Sequence, residues 1–190
     1  MRRQTLVSTV VLIMACSAIM AIGLASANRP VRVLVLGDSI MYGKGQTVPW
    51  WTHLPKGHVV TNRAVSGATS ADVLSEQVTD VRYDIAIIGV GRNDMNRDVP
   101  LSVYKANLKR IIQSCNARQI VVVTPPLKLG LPVSRQQQYT DAANSVFWPT
   151  VDLADAVPAD ERYYVDAGHP NSGGAKLIGQ AIAQCLRELE

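Results

Sequence analysis

The sequence predicts one α/β domain built on a five-stranded parallel sheet, in the order 2-1-3-4-5, with helices on both faces. Three features point to it. Short β-branched runs alternate with amphipathic stretches along the chain. Two of those runs, residues 84–90 and 120–124, are almost continuously apolar, as strands covered on both faces must be. No repeat, low-complexity tract or long linker divides the 190 residues, a length that suits one well-buried core better than two. A hydrophobic fraction of 47% with 18% charged residues fits a folded globule.

The chain opens with a segment unlike the rest. Residues 1–27 carry Arg2 and Arg3, an uncharged run over 6–24, and Ala25-Ser26-Ala27 before Asn28. This is the layout of an export signal with a small-residue cleavage site, leaving a single domain over 28–190 in the periplasm or outside the cell. The run exceeds the ~7–15 residues usual for such a region, so an uncleaved membrane anchor is the alternative, with any membrane contact confined to this segment. Lipidation at Cys16 fits the surrounding residues least. Once Arg2 and Arg3 leave, 17 basic residues face 15 acidic ones, a net charge of +2 that gives no reason to expect a nucleic-acid partner. Cys115 and Cys185 remain, near the ends of two helices that the topology places on opposite faces of the sheet. Free thiols are therefore expected over a disulfide, which needs Cα atoms within ~7 Å.

The strands are expected at 31–36, 58–62, 84–90, 120–124 and 145–151. Thr69 or Ser70 can cap a helix running to Val78, and Pro100 opens a longer one to about Cys115, whose apolar stripe is Val103, Leu108, Ile111 and Ile112. The segment 134–144 is polar but helical in character. Ser172 is expected to cap a final helix carrying Leu177, Ile178, Ile182 and Leu186.

In a doubly wound sheet the site forms at the carboxyl ends of the strands, so the residues that follow each strand carry most of the chemical information. Here those residues are Ser39 after the first strand, Ser66-Gly67-Ala68 after the second, Gly91-Arg92-Asn93-Asp94 after the third, and Asp166 and His169 before the last helix. A serine hydroxyl becomes a nucleophile when a base takes its proton, and an imidazole suits that task near neutrality. Ser39 and His169 form the natural pair. Asp166, three residues before His169, can reach its other nitrogen, hold the tautomer and stabilise the imidazolium. Attack on a carbonyl also needs donors aimed at the oxygen that becomes negative. The Ser39 N–H, the Gly67 N–H and the Asn93 side-chain amide can converge there, and glycine at 67 allows close approach of the backbone.

With these four elements in hand, the chain resembles the SGNH hydrolase superfamily, also called GDSL-type esterases and lipases. The likeness rests on Gly37-Asp38-Ser39, on Gly67 within Asn62-Arg63-Ala64-Val65-Ser66-Gly67-Ala68-Thr69, on Gly91-Arg92-Asn93-Asp94, and on Asp166-Ala167-Gly168-His169-Pro170. They arrive in the family's order and span about 31–186. One departure is mild, since the family often has leucine where this chain has Ile40. The resemblance implies a flavodoxin-like three-layer sandwich and hydrolysis of carboxylic esters or thioesters without metal or organic cofactor.

Taken singly, Gly-Asp-Ser is ordinary turn chemistry and Asp-x-x-His can be a helix cap beside a surface histidine. Asp38, Asp94 and Asp98 suit structural roles in turns and caps. His53 and His58 compete weakly for the role of base, and the histidines and cysteines lack metal-ligand spacing. Met41, Tyr42, Trp50 and Trp51 either line an apolar or sugar-stacking surface or pack a short helix on the domain edge. The loop 127–133 is a candidate pocket border, and Arg92 either meets an anionic leaving group or is solvated. The expected activity is esterase action on small to medium acyl chains of sugar, lipid or thioester substrates, with no obligate protein partner. The alternatives are O-acyl transfer to envelope sugars and a noncatalytic glycan- or ester-binding domain.

Overall fold

Strand-forming runs rich in Val, Ile and Thr pair where their apolar residues can be covered from both sides, and that condition sets the architecture. The structure, a computed structural model, describes residues 29–147 and 150–189, so the export signal expected at 1–27 lies outside the described residues. The strands are β1 (Val31–Gly37), β2 (His58–Asn62), β3 (Tyr83–Gly89), β4 (Ala117–Thr124) and β5 (Thr150–Asp152), in the order β2-β1-β3-β4-β5. Parallel registers join β1 to β3, β3 to β4 and β4 to β5. Beyond β2, Arg63 N–H donates to Val35 O (2.9 Å) and Val65 N–H to Gly37 O (3.0 Å), advancing along both chains as a parallel pair does. The predicted five-stranded doubly wound sheet is what forms.

The helices are α1 (Ser39–Tyr42), α2 (Ser70–Asp72), α3 (Arg92–Asn96), α4 (Leu101–Ser114), α5 (Val133–Asn144), α6 (Leu153–Ala156) and α7 (Ser172–Glu188), with 3-10 turns at Trp50–His53 and Glu161–Tyr163. Alternate strand residues point to opposite faces. Leu34, Leu36, Ala86, Ile88 and Val122 pack with Tyr104, Leu108 and Ile111 of α4 and with Tyr139, Ala142 and Ala143 of α5. Val33, Val35, Ile85, Ile87, Val121 and Val123 are equally buried on the other side, where α7 packs on the Trp50–His53 turn and on β5. Each such fully buried aliphatic side chain stabilises the fold by about 1.5–3 kcal/mol. Cys115 and Cys185 are free thiols, as expected, and burial pushes the Cys115 thiol up to about 11.

Several elements differ from expectation for local reasons. The fifth strand does not reach back to Ser145, because Ser145, Val146 and Phe147 spend their N–H groups on Asp141 O and Ala143 O at the end of α5; among the described residues, pairing with β4 begins at Thr150. The helix after Thr69 starts with a capping box to Asp72 but widens into a π-type turn over Val73–Gln77. On α4 the buried stripe is Tyr104, Leu108 and Ile111, at true helical spacing, while Val103 is exposed. Asn171, not Ser172, caps α7, accepting from Gly173 N–H (2.8 Å) and Gly174 N–H (3.2 Å). The Ser172 hydroxyl instead accepts from the backbone of Thr47 (3.0 Å) and Val48 (3.2 Å), tying down the loop after α1.

Candidate active site

The nucleophile turn is shaped by what cannot fit there. Gly37 ends β1 with φ +150°, and a Cβ at this position would lie 2.1 Å from Gly89 O and 2.7 Å from Met41 Cγ, so no other residue can bring β1 this close to β3. Gln77, delivered by the π-type turn, holds Gly37 on both sides: its Oε1 accepts from Gly37 N–H (2.8 Å) and its Nε2 donates to Gly37 O (3.0 Å). Asp38 then caps α1 by accepting from Ile40 N–H (2.9 Å), which puts Ser39 in the first helical position at the carboxyl edge of the sheet. Burial pushes the Asp38 carboxyl up to about 6, against the pull of the Ile40 and Met41 N–H groups and the Arg92 charge. Asp38 is structural, as the sequence suggested.

His169 sits on a pinched turn. Tyr164 and Pro170 form an antiparallel bridge, Val165 N–H donates to His169 O (2.9 Å), and Leu129 N–H donates to Ala167 O (2.8 Å). Inside the turn, Asp166 Oδ1 accepts from Gly168 N–H (2.8 Å) and His169 N–H (2.9 Å), while His169 Nδ1 lies 2.7 Å from Oδ2 and 2.9 Å from Oδ1. Desolvation pushes the Asp166 carboxyl upward, but the Gly168 N–H, the His169 ring and the His169 N–H outweigh it and hold the group at about 2. An ionised Asp166 requires the Nδ1–H tautomer, which leaves the Nε2 lone pair facing outward. There it receives the Ser39 hydroxyl at 3.0 Å. The three predicted residues, 130 positions apart in sequence at their widest hydrogen bond, form one connected chain.

The donor loops are laced together around Ser39. Val65 N–H on Gly37 O and Asp38 N–H on Gly89 O (3.3 Å) join the first loop to the second and third. Asn93 Nδ2 donates one hydrogen to Ala68 O (2.9 Å), which fixes the amide beside the Gly67 turn and leaves its second hydrogen for another acceptor. Gly67 has φ +87° with nothing within 4 Å of the position a Cβ would take, so the turn faces open space. Arg97 pins it from outside by donating to Gly67 O (3.0 Å).

The remaining candidates separate cleanly. Arg92 is not solvated: it is 4% exposed and donates to Gly168 O (3.2 Å) and Pro126 O. Asp94 is buried, and rather than capping the next helix it accepts from the Ser70 N–H (2.9 Å) and hydroxyl (2.6 Å), anchoring α2. Asp98 pairs with Arg135. His53 belongs to the turn packed on α7, and His58 bonds Pro55 O (2.9 Å) through Nδ1. Trp50 and Met41 are core residues, the Trp50 Nε1–H reaching Met41 O at 3.0 Å, whereas Tyr42 is exposed. Leu129, from the loop after β4, does border a groove of about 370 Å³ with Glu161, Tyr164, Val165, Asp166 and Ala167. The inward placement of Gln77 and of Arg92 was not among the expectations from sequence. For Gln77 the available signal is its spacing, four residues after Val73 and seven after Ser70, which places all three on one face.

A doubly wound α/β sheet with a serine, a histidine and an aspartate hydrogen-bonded in series at its carboxyl edge defines an SGNH-type hydrolase. The description of a GDSL-like lipase/acylhydrolase family matches residues 35–177, and the chain belongs to that family. It is a carboxylic ester hydrolase of the GDSL type. No curated protein sequence is significantly similar to it. Among solved structures it is similar to TesA, with 20% identity over 84% of this chain and 99% of that one and a TM-score of 0.72. A G-D-S-L family protein from Desulfitobacterium hafniense DCB-2 shares 20% identity over 81% of this chain and 98% of that one, at a TM-score of 0.67. Axe2, an acetylxylan esterase from Geobacillus stearothermophilus, shares 17% over 82% and 94%, at 0.60.

Proposed function

We propose that this protein is an exported serine esterase that cleaves carboxylic esters of small to medium acyl chains through an acyl-serine intermediate. The observation that carries the reading is the unbroken series from Ser39 Oγ to His169 Nε2 (3.0 Å) and from His169 Nδ1 to Asp166 (2.7 Å). Ser39 attacks the acyl carbon as His169 takes its proton. The tetrahedral oxyanion is met by the Ser39 and Gly67 N–H groups and the free hydrogen of the Asn93 amide. His169 returns the proton to the leaving alcohol, and water releases the acyl group by the reverse roles. The open space at Gly67, together with the exposed side chains of Tyr42, Val65 and Val165 near the three loops, supports a shallow, permissive site.

Turnover of p-nitrophenyl esters from acetate to palmitate ranks the acyl length, with a maximum expected among the shorter chains. A fluorophosphonate probe should label the wild type and not Ser39→Ala. A protein that is inert toward the whole ester series and toward the probe would overturn the esterase reading. Export rests on the pattern of residues 1–27, and an N-terminus at Asn28 on protein recovered outside the cytoplasm is the expected result.

A further inference from the structure

Arg92 opens α3 directly before Asn93, yet takes no part in the chemistry described. Its guanidinium is buried between the Asp166–His169 turn and the segment after β4. Nη1 donates to Gly168 O (3.2 Å), inside the turn that carries Asp166 and His169, and Nη2 donates to Pro126 O, in the segment after β4. The fit is close, since a Cβ on Gly168 would come within 3.0 Å of Nη1. Burial lowers the Arg92 pKa, offset by the charges of Asp38 and Asp166 and by Tyr164. A buried cation is costly, and a buried Nε without a hydrogen-bond partner among the described residues adds to the cost. An apolar residue of the same length would fill the space with less penalty. What it could not do is bond two carbonyls on separate loops, which the planar guanidinium does.

The turn it holds needs holding. The Asp166 side chain is 54% exposed, and the tip of the turn is tied to the segment after β4 through Leu129 N–H on Ala167 O. We propose that Arg92 is a positioning residue that clamps the Asp166–His169 turn against the segment after β4 and so sets the reach of the imidazole toward Ser39. One short helix then locates both the Asn93 donor and the base, so the two sides of the reacting carbonyl share one reference point. This inference rests on the serine-hydrolase reading for its catalytic consequence, and on geometry alone for the clamp.

The experiment combines ester kinetics with amide hydrogen exchange on wild type, Arg92→Met and Arg92→Lys. Misplacing a catalytic group by about 1 Å costs on the order of 10²-fold, so Arg92→Met should lower kcat by about 30- to 100-fold with KM changed less than about threefold. Exchange over residues 164–170 should rise at least about tenfold while β1 and β3 stay protected. Arg92→Lys keeps the charge but lacks the fork, and is expected between the two. Loop exchange and kcat within about twofold of wild type in Arg92→Met would overturn the proposal. So would a uniform loss of protection in β1, β3 and the loop together in both variants. If Arg92→Met does not fold, Arg92→Lys is judged by the same criteria. If the wild type cleaves no ester, the hydrolase reading falls while the exchange measurement still decides the clamp.

Discussion

Replacing Asp166 by asparagine tests the wiring of the turn, because the structure dictates which way the new amide must face. Oδ1 already receives two backbone N–H groups, from Gly168 and His169, and only an oxygen can occupy that position. The amide nitrogen is therefore driven to the Oδ2 position, 2.7 Å from His169 Nδ1, where it donates to the ring. Nδ1 also lies 2.9 Å from the oxygen kept at Oδ1, but the nearer amide donor at 2.7 Å favours a bare Nδ1 and a protonated Nε2, a tautomer that cannot accept the Ser39 proton. The charge is lost as well. At 2.7 Å the attraction between imidazolium and carboxylate is about 6 kcal/mol at an effective dielectric of about 20 and about 1.5 kcal/mol in bulk water. With the Asp166 side chain 54% exposed, solvent screening brings the charge contribution down to about 2–3 kcal/mol, or roughly 30- to 150-fold in rate. The wrong tautomer adds to this, for a total loss on the order of 10³–10⁴ in kcat/KM. Asp166→Ala loses the charge but leaves the imidazole free to choose its tautomer, so it should retain more activity than Asp166→Asn. Steady-state hydrolysis of a p-nitrophenyl ester by both variants, normalised to folded protein, gives the order. An Asp166→Asn enzyme more active than Asp166→Ala, or within tenfold of wild type, would refute the tautomer argument.

Two further outcomes follow from the same geometry. Asn93→Ala removes one oxyanion donor and should lower kcat by about 10²–10³-fold with little change in KM, while the lost bond to Ala68 O costs only about 1 kcal/mol of stability in thermal unfolding; a loss below tenfold would remove Asn93 from the donor set. Asp38 is raised by burial from 3.8 to about 6, so between those values the folded protein binds more protons than the unfolded chain and stability falls as pH rises. Asp38→Asn should remove that slope, so its Tm relative to wild type should climb by several degrees from pH 4 to pH 7, and a pH-independent difference would show that Asp38 is not the buried acid described.

The strand order, the four chemical elements and their order along the chain were legible in the sequence because each depends on local or periodic information. Continuous apolar runs mark strands covered on both sides, and residues just after such strands must lie at the sheet's carboxyl edge. Ser39, Gly67 and Asn93 could be named on that basis, while Asp166 and His169, which follow no strand directly, could be named from their spacing before the last helix and from a serine's need for a base. Ser172 was expected to cap the last helix, but Asn171 directly before it takes that role and the Ser172 hydroxyl is drawn instead to Thr47 and Val48.

Only the tertiary structure decided the groups whose partners lie far along the chain. Gln77 meets Gly37 across 40 residues, Arg92 meets Gly168 across 76, and the Asp94 carboxylate meets Ser70 across 24. Each is a polar side chain in a segment whose pattern reads as ordinary helix or turn. What turns them inward is the requirement that a buried donor or acceptor find a partner, and that partner is set by how the loops stack on the sheet. A periodic pattern tells which face of an element is buried, and the packing of separate elements tells which polar groups must satisfy one another there.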